Sequence, residues 1–126
     1  MIVLDTHAWI WHAAAPRKLS TRARSAIAHA TEIGVSTMSC WEIALLESTG
    51  RLRLDRSLRS WIGATLADDR FRALPVTVDI AMSAGGLSPL RDPADRIIYA
   101  TALEHDALLV SRDERIAAHD PSRVVW

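Results

Sequence analysis

Met1-Ile2-Val3-Leu4-Asp5-Thr6 sets four apolar residues in a row and then turns polar at once. A short unbroken apolar run ending on a polar pair is how a strand buried on both faces reads, because a parallel strand covered by helices has no wet side. Working outward, Thr6 to Ala15 predicts a helix stopped by Pro16, and Ser20 to about Glu32 an Ala-rich helix with Arg22 and Arg24 on its wet side. Ile33-Gly34-Val35-Ser36 is a second strand candidate, and Ser39 to Thr49 a helix closed by Gly50. Leu58, Trp61, Ile62 and Leu66 recur at the spacing of a helix with one buried face. Phe71 to Val76 reads as a strand cut short by Pro75, which favours an edge position. Thr77 is placed to cap a helix over Val78 to about Ala84, and Pro93 to about Ala107 predicts another. Leu108-Leu109-Val110 and Arg123-Val124-Val125-Trp126 supply the remaining strands.

Strands alternating with helices imply an α/β fold with a parallel sheet covered on both faces, since parallel strands need crossover helices. Composition agrees: 126 residues with 49% hydrophobic and 24% charged fit one domain over residues 1–126, without repeat or linker. Fifteen basic residues balance fifteen acidic ones, which argues against coating nucleic acid or a membrane by bulk positive charge but leaves a local site open. One cysteine, Cys40, no signal-like leader and no long apolar run point to a cytoplasmic protein with no membrane partner.

In such folds the ligand crevice lies beyond the carboxyl ends of the strands. Asp5 follows the first strand, Glu42 falls in the first turn of the third helix, Asp92 and Asp95 flank the start of the Pro93 helix, and Asp113 follows the Leu108 strand. Helix capping accounts for most of these singly. Ser39-x-x-Glu42 and Ser111-x-x-Glu114 match capping boxes, and Asp92-Pro93-x-Asp95 reads as an N-cap, a proline at N1 and an acid favoured by the helix dipole. Asp5 fits capping least, because a carboxylate right after a buried strand is costly to desolvate. Together the acids pose a different problem. Two carboxylates about 5 Å apart repel by roughly 3 kcal/mol at an effective dielectric near 20, and several such pairs call for a counter-charge. With oxygen donors only, and no cysteine cluster or close histidine pair, the hard cation Mg²⁺ (or Mn²⁺ in its place) suits better than Zn²⁺.

The chain resembles the PIN-domain ribonucleases, and among them the VapC-type toxins of bacterial toxin–antitoxin pairs. The match runs through Leu4-Asp5-Thr6-His7, Ser36 to Ala44 with Trp41-Glu42, Leu74-Pro75-Val76-Thr77, Asp92-Pro93-Ala94-Asp95-Arg96, and Leu109-Val110-Ser111-Arg112-Asp113-Glu114. The resemblance implies a doubly wound α/β/α sandwich around a mainly parallel sheet of about four to five strands. It implies Mg²⁺-dependent endoribonuclease activity carried by Asp5, Glu42, Asp95 and Asp113, with Glu42 either reaching the metal through water or accepting the nucleophile's proton, and RNA products with a 5′-phosphate and a 3′-hydroxyl. Thr6, Ser39 and Ser111 match hydroxyl positions of the family; Asp92 adjoins the acids, as do Arg96 and Arg112, which either pair with them or contact a phosphate. A VapB-like antitoxin whose tail covers the acidic pocket, and a homodimer, are the implied partners.

An acidic pocket repels a phosphate chain, so basic residues are needed around it. Arg17, Lys18, Arg22 and Arg24, and the Arg51, Arg53, Arg56 and Arg59 group, are candidate RNA tracks, with ordinary solvated faces as the competing reading. Alternatives of other classes stand beside the ribonuclease. A non-catalytic RNA- or protein-binding module would be expected to lose an acid, and a DNA nuclease would use the same pocket. A phospho-acceptor receiver needs a lysine nearby, and the only one, Lys18, is badly placed; an aspartyl phosphatase would want an acid where His7 stands.

Overall fold

The computed structural model describes residues 1–126. In chain order it runs β1 (Ile2–Leu4), α1 (Thr6–Ala14), a 3-10 turn (Pro16–Lys18), α2 (Thr21–His29), β2 (Ile33–Ser36), α3 (Thr37–Ser48), α4 (Leu58–Leu66), β3 (Phe71–Leu74), α5 (Val78–Gly85), α6 (Pro93–Glu104), β4 (Leu108–Val110), α7 (Glu114–His119) and β5 (Val124–Val125). All five strands are parallel, in the order β3-β2-β1-β4-β5. The alternating α/β architecture expected from the sequence is the one observed, with β3 at an edge where Pro75 costs no ladder bond.

Alternation along each strand builds two cores. Ile2, Leu4, Ile33, Val35 and Val110 point to one face, where Trp9, Ile27, Ile43 and Trp61 cover them. Val3, Leu109 and Val124 point to the other, against Ile98, Tyr99, Ala102 and Ile116. Each fully buried aliphatic side chain contributes roughly 1.5–3 kcal/mol, so a three-residue strand buried on both sides is held mainly by its helices. A Cβ on Gly34 would run into the Leu74 side chain, which explains the glycine inside β2.

Several boundaries shift from the sequence reading. The second helix ends at His29, short of Glu32. Helix α6 ends at Glu104 because Asp106 adopts a left-handed conformation, φ 47°, that turns the chain into Ala107 and β4. Gly50, at φ 73°, follows α3 as expected of a helix-ending glycine. No helix is long and apolar enough to cross a membrane.

Candidate active site

The chain lays β1, β2 and β3 outward in one direction, then returns to the other side of β1 for β4 and β5. The reversal falls between β1 and β4, and the ends of these strands are tied together: Asp5 N–H donates to the Val110 carbonyl at 3.1 Å, and Ser111 N–H to the Val125 carbonyl at 3.2 Å. Residues following β1, β4 and β5 therefore meet at one rim, the place where crevices form in such sheets. A cleft of about 1200 Å³ opens there, lined by Asp5, Thr6, His7, Trp11, Glu42, Asp92, Asp95 and residues of the 111–126 segment.

All five acids singled out from the sequence line this cleft. Asp5 caps α1 after all, its Oδ1 accepting the Ala8 N–H at 2.7 Å. Capping and cleft membership coexist, because a helix that starts directly after β1 must place its cap residue at the sheet rim. Asp92 caps α6 through the Ala94 and Asp95 N–H groups at 2.9 and 3.1 Å. Asp113, expected inside the first turn, is instead the N-cap of α7, and Ser111 accepts the Asp113 N–H at 3.0 Å rather than capping the helix. The α3 cap is Ser36, not Ser39. Ser39 is consequently buried inside the helix, and Glu42, in the second turn, is freed from a capping box. Buried Thr6 joins these two: its hydroxyl donates to Glu42 Oε1 and lies 3.1 Å from Ser39 Oγ. A threonine has one proton, so with Glu42 taking it, Ser39 must donate to Thr6, and the three form a directed chain ending on the carboxylate.

The electrostatics are strained. Burial pushes the Asp95 carboxyl up to about 7, with Asp92, Asp113, Glu42 and Asp5 adding to the effect. Burial likewise raises Glu42, against the Thr6 hydrogen bond that lowers it. It raises Asp5 too, partly offset by the Ser111 hydroxyl and the Ala8 N–H. Asp113 is the exception. Burial would raise it, but the paired Arg115 and the N–H groups of Arg115 and Ile116 together hold it below the usual carboxylate range. Several carboxylates face one hollow without enough positive charge to settle them.

The carboxylates do not form a finished ligand shell, since no three His, Cys, Asp or Glu side chains are grouped closely enough to hold an ion directly. Their chemistry nonetheless suits a hard divalent cation that keeps part of its water: every acid offers oxygen, and three have carboxyls raised by burial and mutual repulsion.

Other expectations fare differently. Arg96 turns away, its Nε donating to the Leu90 carbonyl. None of Arg17, Lys18, Arg22, Arg24, Arg51, Arg53, Arg56 and Arg59 lines the cleft; all eight are exposed, and Arg53 and Arg56 border a different cavity. The cations at the cleft are Arg112 and Arg115. Arg115, which pairs with Asp113 at 3.0 Å, escaped the sequence reading. Its position in the first turn after a capping aspartate was the available signal.

The PIN domain family profile matches residues 2–120. Ribonuclease VapC22 of Mycobacterium tuberculosis is 40% identical over 129 aligned positions, spanning 99% of this chain and 98% of that protein. Among solved structures, VapBC2 from Rickettsia felis, bound to a DNA fragment from its promoter, superposes with a TM-score of 0.71 at 14% identity, over 98% of this chain and 97% of that one. A toxin–antitoxin complex from Klebsiella pneumoniae gives 0.68 at 21% identity, over 100% and 97%. The five-stranded parallel sheet is thus a shared fold, and the chain belongs to the PIN-domain family.

Proposed function

We propose that the protein is a Mg²⁺-dependent endoribonuclease, the toxin of a toxin–antitoxin pair, held inactive by a cognate antitoxin. The observation that carries this reading is the gathering of Asp5, Glu42, Asp92, Asp95 and Asp113 on one cleft at the β1/β4 reversal. The 40% identity to a ribonuclease and the toxin–antitoxin complexes among the structural neighbours support it.

Asp5, Asp95 and Asp113 would hold the cation directly or through its waters, and Glu42 through water. Bound there, Mg²⁺, or Mn²⁺ in its place, supplies charge to the phosphoryl oxygens and acidifies an attacking water. The protein's own groups do the rest. Glu42, with its raised carboxyl fixed by Thr6, takes the proton from the nucleophile. Ser111 and the Ala8 N–H favour the ionised form of Asp5 and offset part of the burial that raises it. Asp92 has a sufficient task in starting α6 and orients Asp95 by fixing that first turn. Arg112 and Arg115 offset the repulsion between acids and phosphates, Arg115 by exchanging Asp113 for a phosphate oxygen.

Cleavage assays on RNA, and on DNA of the same sequence, with Mg²⁺ and with EDTA, test this reading. RNA is cut only with Mg²⁺, and Asp5→Ala and Asp95→Ala abolish cutting; cleavage that persists unchanged in both variants overturns the site. Equal cutting of DNA makes the protein a general nuclease. The antitoxin role predicts that a DNA-binding protein encoded beside it co-purifies and silences cleavage, its tail protecting Asp5 and Asp113. The chain acting as a homodimer is checked by sedimentation.

A further inference from the structure

Part of the cleft lining has no place in the chemistry above. His7 and Trp11 stand one turn apart on α1, with ring centroids 5.6 Å from each other. Trp126, just after β5, lies 5.7 Å from Trp11 at an interplanar angle of 55°. The Arg112 guanidinium carbon sits 5.0 Å from the centre of a Trp11 ring, within cation–π range. All four residues line the acidic cleft. The two indoles are half-buried: both pack on the main core, and both also border the hollow. The sheet brings them together, since β4 and β5 are paired in register at Val110 and Val125 and so deliver Arg112 and Trp126 to the same rim.

We propose that Trp11, Trp126, His7 and Arg112 form a stacking subsite for an unpaired nucleobase beside the scissile phosphate. Partly exposed indole faces next to a guanidinium are what an unstacked base recognises, the rings taking its π face and the cation its phosphate. A base inside a duplex is already stacked on both sides and has no face to offer. A peptide tail that covers the acids is held by them, whereas at the aromatic rim Arg112 and Arg115 repel its cations and draw a nucleotide's phosphate instead. The inference rests on the nuclease reading only in that a nucleic-acid strand enters this cleft.

The test separates the two. The full chain carrying Asp95→Asn, without added metal, is titrated with a short single-stranded ribo-oligonucleotide, the same strand with one abasic position, and the same strand annealed to its complement, following tryptophan fluorescence. The intact single strand quenches and binds tightest. Trp126→Leu, which keeps an apolar side chain against the core, weakens that binding about 5- to 100-fold while leaving the duplex and abasic strands nearly unchanged, and Trp126→Phe restores most of it. Equal weakening for all three probes, or none, overturns the subsite. So does a Trp126→Leu variant that binds RNA normally but loses a protein partner, which assigns the rings to protein contact. Should Trp126→Leu fail to fold, the Asp95→Asn protein must still prefer the intact strand to the abasic one. Cleavage by the wild-type chain with Mg²⁺ is read separately: stacking without cleavage removes the nuclease reading and keeps the subsite, and cleavage indifferent to the abasic position does the reverse.

Discussion

Helix α1 borders two hollows. Its first turns contribute Thr6, His7 and Trp11 to the acidic cleft, while Ile10, His12, Ala13 and Ala14 help line a second cavity of about 520 Å³ with Leu52 to Arg56, Trp61 and Phe71. The second hollow is more apolar, 8 of its 14 lining residues being hydrophobic against 3 of 14 in the cleft. They differ most in how charge is handled. Around the second cavity, Asp55 pairs with Arg56 and Asp68 with Arg70, each at 3.0 Å, and hydrogen bonds from those arginines hold both carboxyls below their ordinary values. In the cleft, Asp5, Glu42 and Asp95 are raised and lack such partners. A surface that needs only to be wetted settles its charges locally. One that leaves buried carboxylates unsettled depends on something arriving to settle them.

The contrast can be broken at several points. Asp95→Ala and Asp5→Ala are expected to lower RNA cleavage by about 1000-fold or more, with folding intact by circular dichroism. On the other side of α1, Trp61→Ala removes a buried ring tilted against Trp9 with centroids 5.4 Å apart and is expected to cost about 3–5 kcal/mol in chemical denaturation. Retained activity at low temperature would show that the cleft does not depend on the second cavity. Thr6→Val strips the hydroxyl from Glu42 and lowers kcat roughly 10-fold, with Thr6→Ser recovering most of it. A Thr6→Val variant with wild-type kcat breaks the proposed role of Glu42.

Asp95 also makes the cleft's strain measurable. Its folded-state value of about 7 lies above the ordinary 3.8, so the folded protein binds that proton more tightly than the unfolded chain. Its contribution to stability is therefore complete below about pH 4 and is lost as pH rises through about 7. Without metal, Asp95→Asn is expected to raise Tm by on the order of 5 °C at about pH 8 and to change it little at about pH 4. Mg²⁺ likewise stabilises the wild-type protein more at the higher pH. Equal shifts at both values would remove the repulsion argument. The smallest effect belongs to the settled side: Arg56→Ala leaves stability nearly unchanged and changes cleavage by less than about twofold. A large cleavage defect there would make the Arg51 to Arg59 segment an RNA track after all.

Much of this was legible along the chain. Ile2 to Leu4, Ile33 to Val35 and Leu109 to Val110 lack charged or polar side chains because both faces are covered, and Thr77 and Asp92 cap the helices that follow them. What failed was choosing between neighbouring hydroxyls and acids. Ser36 and Ser39 are both eligible caps, and Ser36 wins because β2 stays buried right up to it, which puts Ser39 inside the helix next to Thr6. Ser111 and Asp113 posed the same choice two residues apart. The basic residues raised a related problem. A run such as Arg51 to Arg59 shows charge density but not which rim it reaches, while Arg115 stands out only once the turn after β4 delivers it to the cleft.

The amino-acid order by itself determined the alternation of buried strands and helices and the placement of an acid just beyond a strand or within a helix start, because burial periodicity and capping act over a few neighbouring residues. Only the tertiary structure decided that those acids share one hollow, that Thr6 bridges Ser39 to Glu42, and that Trp11 and Trp126 face the same opening. Those contacts join residues from 33 to 115 positions apart, and it is the register of β1, β4 and β5 and the docking of α3, not any local propensity, that closes such distances.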